Sequence, residues 1–298
     1  MKSLSFAAGL ALVLATSPVF AEEVTLPYGG LTLSANLETT GSGWSQGPVV
    51  LMTHGTLAHG GMEIMQGLQK ALHDRGISSL ALTLSLGLDQ RQGMYDCAQP
   101  HTHRHTDALG EIGAWLDWLK AQGVSRVSLL GHSRGGNQAA RFALSQPAAP
   151  LTQLILVAPQ TWSEADTRAD YQARYGQDLG PLLERARALK ADGKADTLLN
   201  PVDFLYCEKA AASAAAFLSY YAPDPAMDTP SLLPEIPIPI LVVAGSEDQV
   251  VKGLVAKVEP RADGQRVQLL VLEGADHFFR DLFVEDIADA IQERLGKD

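Results

Sequence analysis

Basic charge is scarce in this 298-residue sequence: 23 lysines and arginines stand against 34 aspartates and glutamates, for a formal net charge of −11. That balance argues against nucleic acid or an anionic membrane surface as partner, because affinity for either grows with the number of cations offered. Cysteine is scarcer, with Cys97 and Cys207 alone, and neither has the sequence context of a nucleophile. Past the N-terminus no segment is apolar for long enough to read as a membrane span. There is no internal repeat and no low-complexity tract.

What is present begins with a targeting segment. Met1-Lys2 is a positive start, Leu4 to Leu14 an apolar run, and Val19-Phe20-Ala21 a small-x-small cleavage site. Together they predict a secretory signal peptide over residues 1–21, with Glu22 as the mature N-terminus. The expected mature protein is exported, periplasmic or secreted, with no membrane span once the signal is cleaved. In an oxidising compartment the even pair of cysteines predicts a Cys97–Cys207 disulfide.

The mature chain alternates strands and helices. Val24 to Tyr28 and Leu31 to Leu37 read as a hairpin around Gly29-Gly30. Solid apolar runs follow at Pro48–Thr53, Ser79–Leu86, Val127–Leu130, Leu151–Ala158, Ile240–Ala244 and Arg266–Leu272. Between them, Met62–Arg75, Asp107–Gln122, Asn137–Leu144 and Phe283–Leu295 have helical spacing, with Thr106 the expected N-cap of the second. Solid apolar strands separated by helices are the pattern of a sheet covered on both faces. The expected fold class is therefore α/β: a mostly parallel, doubly wound sheet of about eight strands. Residues 160–235 interrupt the alternation. They contain no convincing strand and read as helices over roughly 164–175, 180–192 and 203–220, a helical lid inserted into a core of residues 22–159 and 236–298. Phe204, Leu205, Phe217, Leu218, Tyr220 and Tyr221 of that insertion are either a wall for an acyl or aromatic group or the insertion's own core.

Chemistry concentrates at Gly131-His132-Ser133-Arg134-Gly135-Gly136, between a predicted strand and a predicted helix. A strand that turns at once into a helix strains the central residue and brings its second neighbours into close approach, where only small side chains fit, and Gly131 and Gly135 supply that room. The serine hydroxyl is then exposed beside a helix N-terminus, whose N–H groups favour a developing oxyanion. Serine is a weak nucleophile without a base, and the base needs an orienting carboxylate. Downstream strands end in Gly245-Ser246-Glu247-Asp248-Gln249-Val250 and in Gly274-Ala275-Asp276-His277-Phe278, an acid loop and a histidine loop. In a parallel sheet all such loops leave one edge, so these residues can converge.

Over essentially its whole mature length the chain resembles the α/β-hydrolase-fold serine hydrolases, on these motifs together with His54-Gly55 after the third strand. The resemblance implies Ser133 as nucleophile, His277 as general base and then acid, and Asp248 as the carboxylate on His277. It implies an oxyanion hole from the backbone N–H of Arg134 and of Thr56, with Leu57 the adjacent alternative to Thr56. It also implies cleavage of a small-molecule ester or related acyl bond through an acyl-enzyme, with no cofactor. Peptidase, thioesterase and acyltransferase chemistry use the same triad, and some members of the fold bind without catalysing. The arginine after the nucleophile departs from the smaller or apolar residue of many members. Its side chain either binds a carbonyl or carboxylate near the site or pairs with an acid. Asp248 is preferred to its neighbour Glu247, and Asp276 is expected to point away from His277. His132 reads as a packed elbow residue and His54 as a brace of the oxyanion loop. His101, His103 and His105 alternate along one extended segment. They read as part of a solvated loop with one histidine near the pocket rather than as a metal site, and no metal is expected.

Overall fold

The computed structural model describes residues 21–296. Of the predicted signal peptide, residues 1–20 lie outside the described residues. In chain order the elements are β1 (Glu22–Tyr28), β2 (Leu31–Glu38), β3 (Val49–Thr53), α1 (Glu63–Asp74), β4 (Ser78–Thr83), α2 (Asp107–Ala121), β5 (Val127–His132), α3 (Arg134–Ser145) and β6 (Leu151–Val157). After these come α4 (Glu164–Tyr175), α5 (Leu179–Ala191), β7 (Leu198–Phe204), β8 (Cys207–Ser213), α6 (Ala214–Tyr221) and α7 (Thr229–Leu232). The chain then closes with β9 (Ile240–Gly245), α8 (Leu254–Val258), β10 (Val267–Leu272) and α9 (Phe283–Leu295).

Eight strands form one sheet in the order β1-β2-β4-β3-β5-β6-β9-β10. From β4 to β10 every pairing is parallel, and the β1–β2 hairpin adds antiparallel at one edge. The pleat explains why the central strands are apolar throughout. Leu129 of β5 faces a core with Trp115 and Phe142 of α2 and α3, while its neighbour Leu130 faces a second core with Met65, Leu68 and Ile287 of α1 and α9. Side chains alternate between faces, so a strand buried on both needs an apolar residue at every position.

Between β6 and β9 the expectation of helices alone is corrected. Residues 164–175 and 179–191 are helical, but β7 and β8 form an antiparallel hairpin, and the third helix is confined to Ala214–Tyr221. The alanine-rich run after Cys207 favours helix by intrinsic propensity. Tertiary pairing overrides it: Ala210 pairs with Val202, Ala212 with Leu199, and Ala212 also bridges to His101. Phe204, Phe217 and Tyr220 are buried against one another in a third core, which makes them interior residues of the insertion rather than an exposed wall. Thr106 precedes α2 but makes no capping hydrogen bond; the Asp107 carboxylate instead accepts from the Arg104 N–H at 2.7 Å.

Cys97 and Cys207 are bridged, with their Cα atoms 5.4 Å apart and a sequence separation of 110. The bond fastens the loop before His101 to β8. Closing a loop of that length in the unfolded chain contributes about 4–5 kcal/mol of stability by loop entropy. Reduction, or Cys97→Ala with Cys207→Ala, is expected to lower Tm by roughly 10 °C or more. Differential scanning calorimetry with and without reductant measures the shift.

Candidate functional site

Ser133 has φ 56° and ψ −122°, a conformation that only a constrained turn holds. Its N–H donates to Val157 O at 2.9 Å, and its carbonyl accepts from Gly136 N–H and Gln160 N–H, each at 3.0 Å. Glycine is required on both sides. A Cβ on Gly131 would stand 2.3 Å from Gly135 O, and one on Gly135 would stand 2.4 Å from His54 O. A Cβ on Gly55 would press on the serine itself, 3.1 Å from Ser133 Cβ and 3.5 Å from Oγ. That last glycine is what lets the His54 loop lie directly against the serine side chain.

The loops after β9 and β10 bring an acid and a base together. His277 Nδ1–H donates to Asp248 Oδ2 at 2.8 Å, with both side chains almost wholly buried. Burial pushes the Asp248 carboxyl up. Hydrogen bonds from His277 and from the Val250 and Val251 N–H groups outweigh it, and the net shift is downward. His277 is delivered to the elbow through its neighbour there. His132 Nε2–H donates to His277 O at 2.9 Å, and the two rings lie 4.8 Å apart. Burial, then the nearby His277, lowers His132 to about 4, which keeps it neutral. Glu247 is exposed. Asp276 turns away from the imidazole, accepting from Phe278 N–H and pairing with Arg280 at 2.9 Å.

Beside Ser133, Ala58 N–H donates to Gly55 O and closes a tight turn with Thr56 and Leu57 at its centre. Leu57 has φ 57°, so the turn is strained here as well. Among the described residues the N–H groups of Thr56, Leu57 and Arg134 have no hydrogen-bond partner. His54 fastens the loop from behind: its Nδ1 bonds Gly55 O at 2.8 Å, and its Nε2 accepts from Leu84 N–H at 3.0 Å. The Arg134 side chain spans the turn, donating from Nε to Thr56 Oγ1 at 2.9 Å.

The histidine segment is not a solvated loop, contrary to expectation. His101, His103 and His105 are all within 1% of full burial. His101 Nδ1 bonds His103 Nε2 at 3.2 Å, His103 Nδ1 bonds Tyr220 OH at 2.8 Å, and His105 Nε2–H donates to Asn137 Oδ1 at 2.8 Å. Backbone pairing of His101 with Ala211 and Ser213 draws the segment inside. Among the described residues no three His, Cys, Asp or Glu side chains are grouped to hold a metal. Sequence reasoning missed Asn137. It is fully buried in the first turns of α3 and also donates to Ala226 O and Thr229 Oγ1, tying the elbow helix to the C-terminal end of the insertion. Its one signal was an amide on the buried face of a helix.

A family model described as "Alpha/beta hydrolase family" matches residues 49–290. A curated relative from Arabidopsis thaliana, a 1-acylglycerol-3-phosphate O-acyltransferase, is 30% identical over 135 residues, which are 43% of this chain and 29% of the relative. The chain thus spans less than a third of that relative's length. Among solved structures, Est1E from Butyrivibrio proteoclasticus with ferulic acid bound superposes at TM-score 0.66 and 17% identity, covering 92% of this chain and 98% of that one. A thioesterase domain from the curacin biosynthetic pathway superposes at TM-score 0.54 and 19% identity, covering 92% and 98%. These two likenesses show a shared fold.

Desolvation lowers His101 to about 4, and desolvation followed by the charges of His101, Arg91 and Arg134 lowers His103 to about 3. The unfolded chain takes up these protons near pH 6.5, which the folded chain refuses. Stability is therefore full above about pH 6.5 and falls as the pH drops toward 4, by about 1.4 kcal/mol per pH unit for each such histidine. Urea midpoints measured by circular dichroism between pH 7 and pH 4 are expected to decline accordingly. His103→Gln is expected to flatten the slope by one histidine's share, whatever it does to stability at pH 7.

Proposed function

Because the chain belongs to the alpha/beta hydrolase family, we propose that it is an exported serine hydrolase that cleaves a carboxylic ester through an acyl-enzyme. One observation supports this reading above the others: Asp248 and His277 pair at 2.8 Å, and the His277 carbonyl accepts from His132, the residue before the strained Ser133. Ser133 Oγ attacks the acyl carbon while its proton passes to His277 Nε2. Asp248 holds the imidazole in the tautomer that can accept it and stabilises the imidazolium. The oxyanion is met by the N–H groups of Arg134 and Thr56. Collapse expels the alcohol, which takes the proton from His277. Water then attacks the acyl-serine with His277 as base, and the acid leaves. Under this reading residues 160–235 are the lid over the site, clamped to the elbow helix by Asn137. Export rests on the signal-like N-terminus, and the Cys97–Cys207 bridge suits an oxidising compartment.

Transfer of the acyl group to an alcohol instead of water is a second reading, favoured by the match to a relative named as an acyltransferase. It uses the same intermediate and differs in what takes the acyl group from Ser133.

The test is hydrolysis of short p-nitrophenyl esters by the mature protein. Ser133→Ala and His277→Ala are expected to lose roughly a thousandfold or more in kcat, and Asp248→Asn a loss of similar order. A fluorophosphonate should label Ser133 alone, as located by peptide mass spectrometry. Undiminished hydrolysis by folded Ser133→Ala would overturn the assignment. Adding glycerol separates the two readings, because an acyltransferase diverts the acyl group into a glyceride.

A further inference from the structure

We propose that the Arg134 side chain recognises a carboxylate carried by the acyl portion of the substrate, so that the preferred esters are half-esters of dicarboxylic acids. This rests on Ser133 being the nucleophile, and it narrows the substrate class. Arginine stands directly after that serine, at the mouth of the site, in a protein with 34 acidic residues to draw on. Some cations elsewhere pair with acids: Arg75 with Glu285 and Asp289, Arg141 with Asp224, and Lys257 with Asp228. Among the described residues Arg134 has no acidic partner. Of the two readings its sequence position left open, pairing with an acid is thereby removed.

The side chain is nonetheless fixed. Nε–H is spent on Thr56 Oγ1 at 2.9 Å, and the guanidinium carbon lies 5.1 Å from the centre of the Tyr220 ring. Both contacts pin the plane of the fork and neither neutralises its charge. Nη1 is buried with no hydrogen-bond partner among the described residues. The neighbours respond to an uncompensated cation: its charge helps to hold His103 and His105 neutral and opposes the rise of Tyr220. The buried Arg91 shows what a structural role looks like. Arg91 bonds the carbonyls of Leu84, Gly93 and Ala58, spending every arm on the loop it supports.

A guanidinium anchored through Nε to the turn carrying Thr56 sits on the side where the acyl oxygen is bound. An anion reaching it would come from the acyl chain. Carboxylate is the matching class, because a planar fork with free donors and no counter-ion pairs with it in charge and shape.

Monomethyl glutarate and methyl pentanoate differ only in a terminal carboxylate in place of a methyl, and their hydrolysis can be followed by pH-stat. The wild type is expected to favour the glutarate by tenfold or more in kcat/KM. Arg134→Gln should abolish that ratio and Arg134→Lys restore part of it, whatever either does to the absolute rates. A wild-type ratio of one or less, or one unchanged in Arg134→Gln, would overturn the proposal. Protection serves as a second readout that needs no turnover: glutarate should slow fluorophosphonate labelling of the wild type and not of Arg134→Gln. Equal protection, or none in the wild type, would also overturn it. If Ser133 takes no label at all, the hydrolase reading itself fails. Labelling and ester cleavage without the carboxylate preference would sink this inference alone.

Discussion

One residue's backbone sets the conditions for everything around it. Ser133 has φ 56°, where an L-residue persists only if its surroundings over-determine it. The surroundings are close on every side. Gly131 touches the turn that follows, Gly135 touches the carbonyls of β3's end, and Gly55 lies against the serine side chain. A methyl group on Gly131 or Gly135 would need backbone movement, and one on Gly55 would press on Ser133 Cβ. The central sheet supplies the rigidity: β5 is held by β3 and β6 and packed on both faces, so the turn cannot relax by shifting its strand. Fixed in this way, the elbow exposes a hydroxyl and leaves the first N–H groups of α3 pointing past it.

A second layer depends on the first. The opening turns of α3 carry Arg134, Asn137 and Gln138, each bonded away from its own helix: to Thr56, to His105 and Thr229, and to the His105 carbonyl. A buried polar group must find partners or be destabilising, and in this layer the partners belong to three different segments. The elbow helix therefore orders the Thr56–Leu57 turn, the histidine segment and the end of the insertion together. Tyr220 joins the layer from α6, bonding His103 and lying under Arg134. The three histidines act as neutral connectors in this arrangement, and the same burial that makes them good connectors makes them sensitive to acid.

Most of the sheet was legible because two-sided burial writes itself as solid apolar runs, and because each strand of the hydrolase core ends in a distinctive loop. The convergence of Asp248 and His277 followed from topology alone: loops that follow parallel strands share an edge. The insertion was less legible. The alanines after Cys207 carry no strand signal; their conformation is decided by a hairpin partner, a bridge to His101 and a disulfide 110 residues long in sequence. The histidines were misjudged for a related reason. Alternating His, Thr and Arg looks solvated when burial depends on aromatic rings from Tyr95, Phe204 and Tyr220, the last two more than ninety residues away. Local pattern reports local periodicity, and contacts between distant segments leave no trace in it.

Under the proposed function, Ser133, His277, Asp248 and the N–H groups of Arg134 and Thr56 form one reacting unit. The most direct measurement is a crystal structure of the mature protein treated with a methyl alkylphosphonofluoridate, whose fluoride leaves as Ser133 Oγ bonds phosphorus, because the bound phosphorus copies the tetrahedral intermediate. Phosphorus is expected on Ser133 Oγ, with one phosphoryl oxygen within hydrogen-bond reach of the Arg134 N–H and the Thr56 N–H, and with the His277–Asp248 bond intact. Phosphorus on another residue, or an oxygen directed away from both N–H groups, would contradict the proposed function.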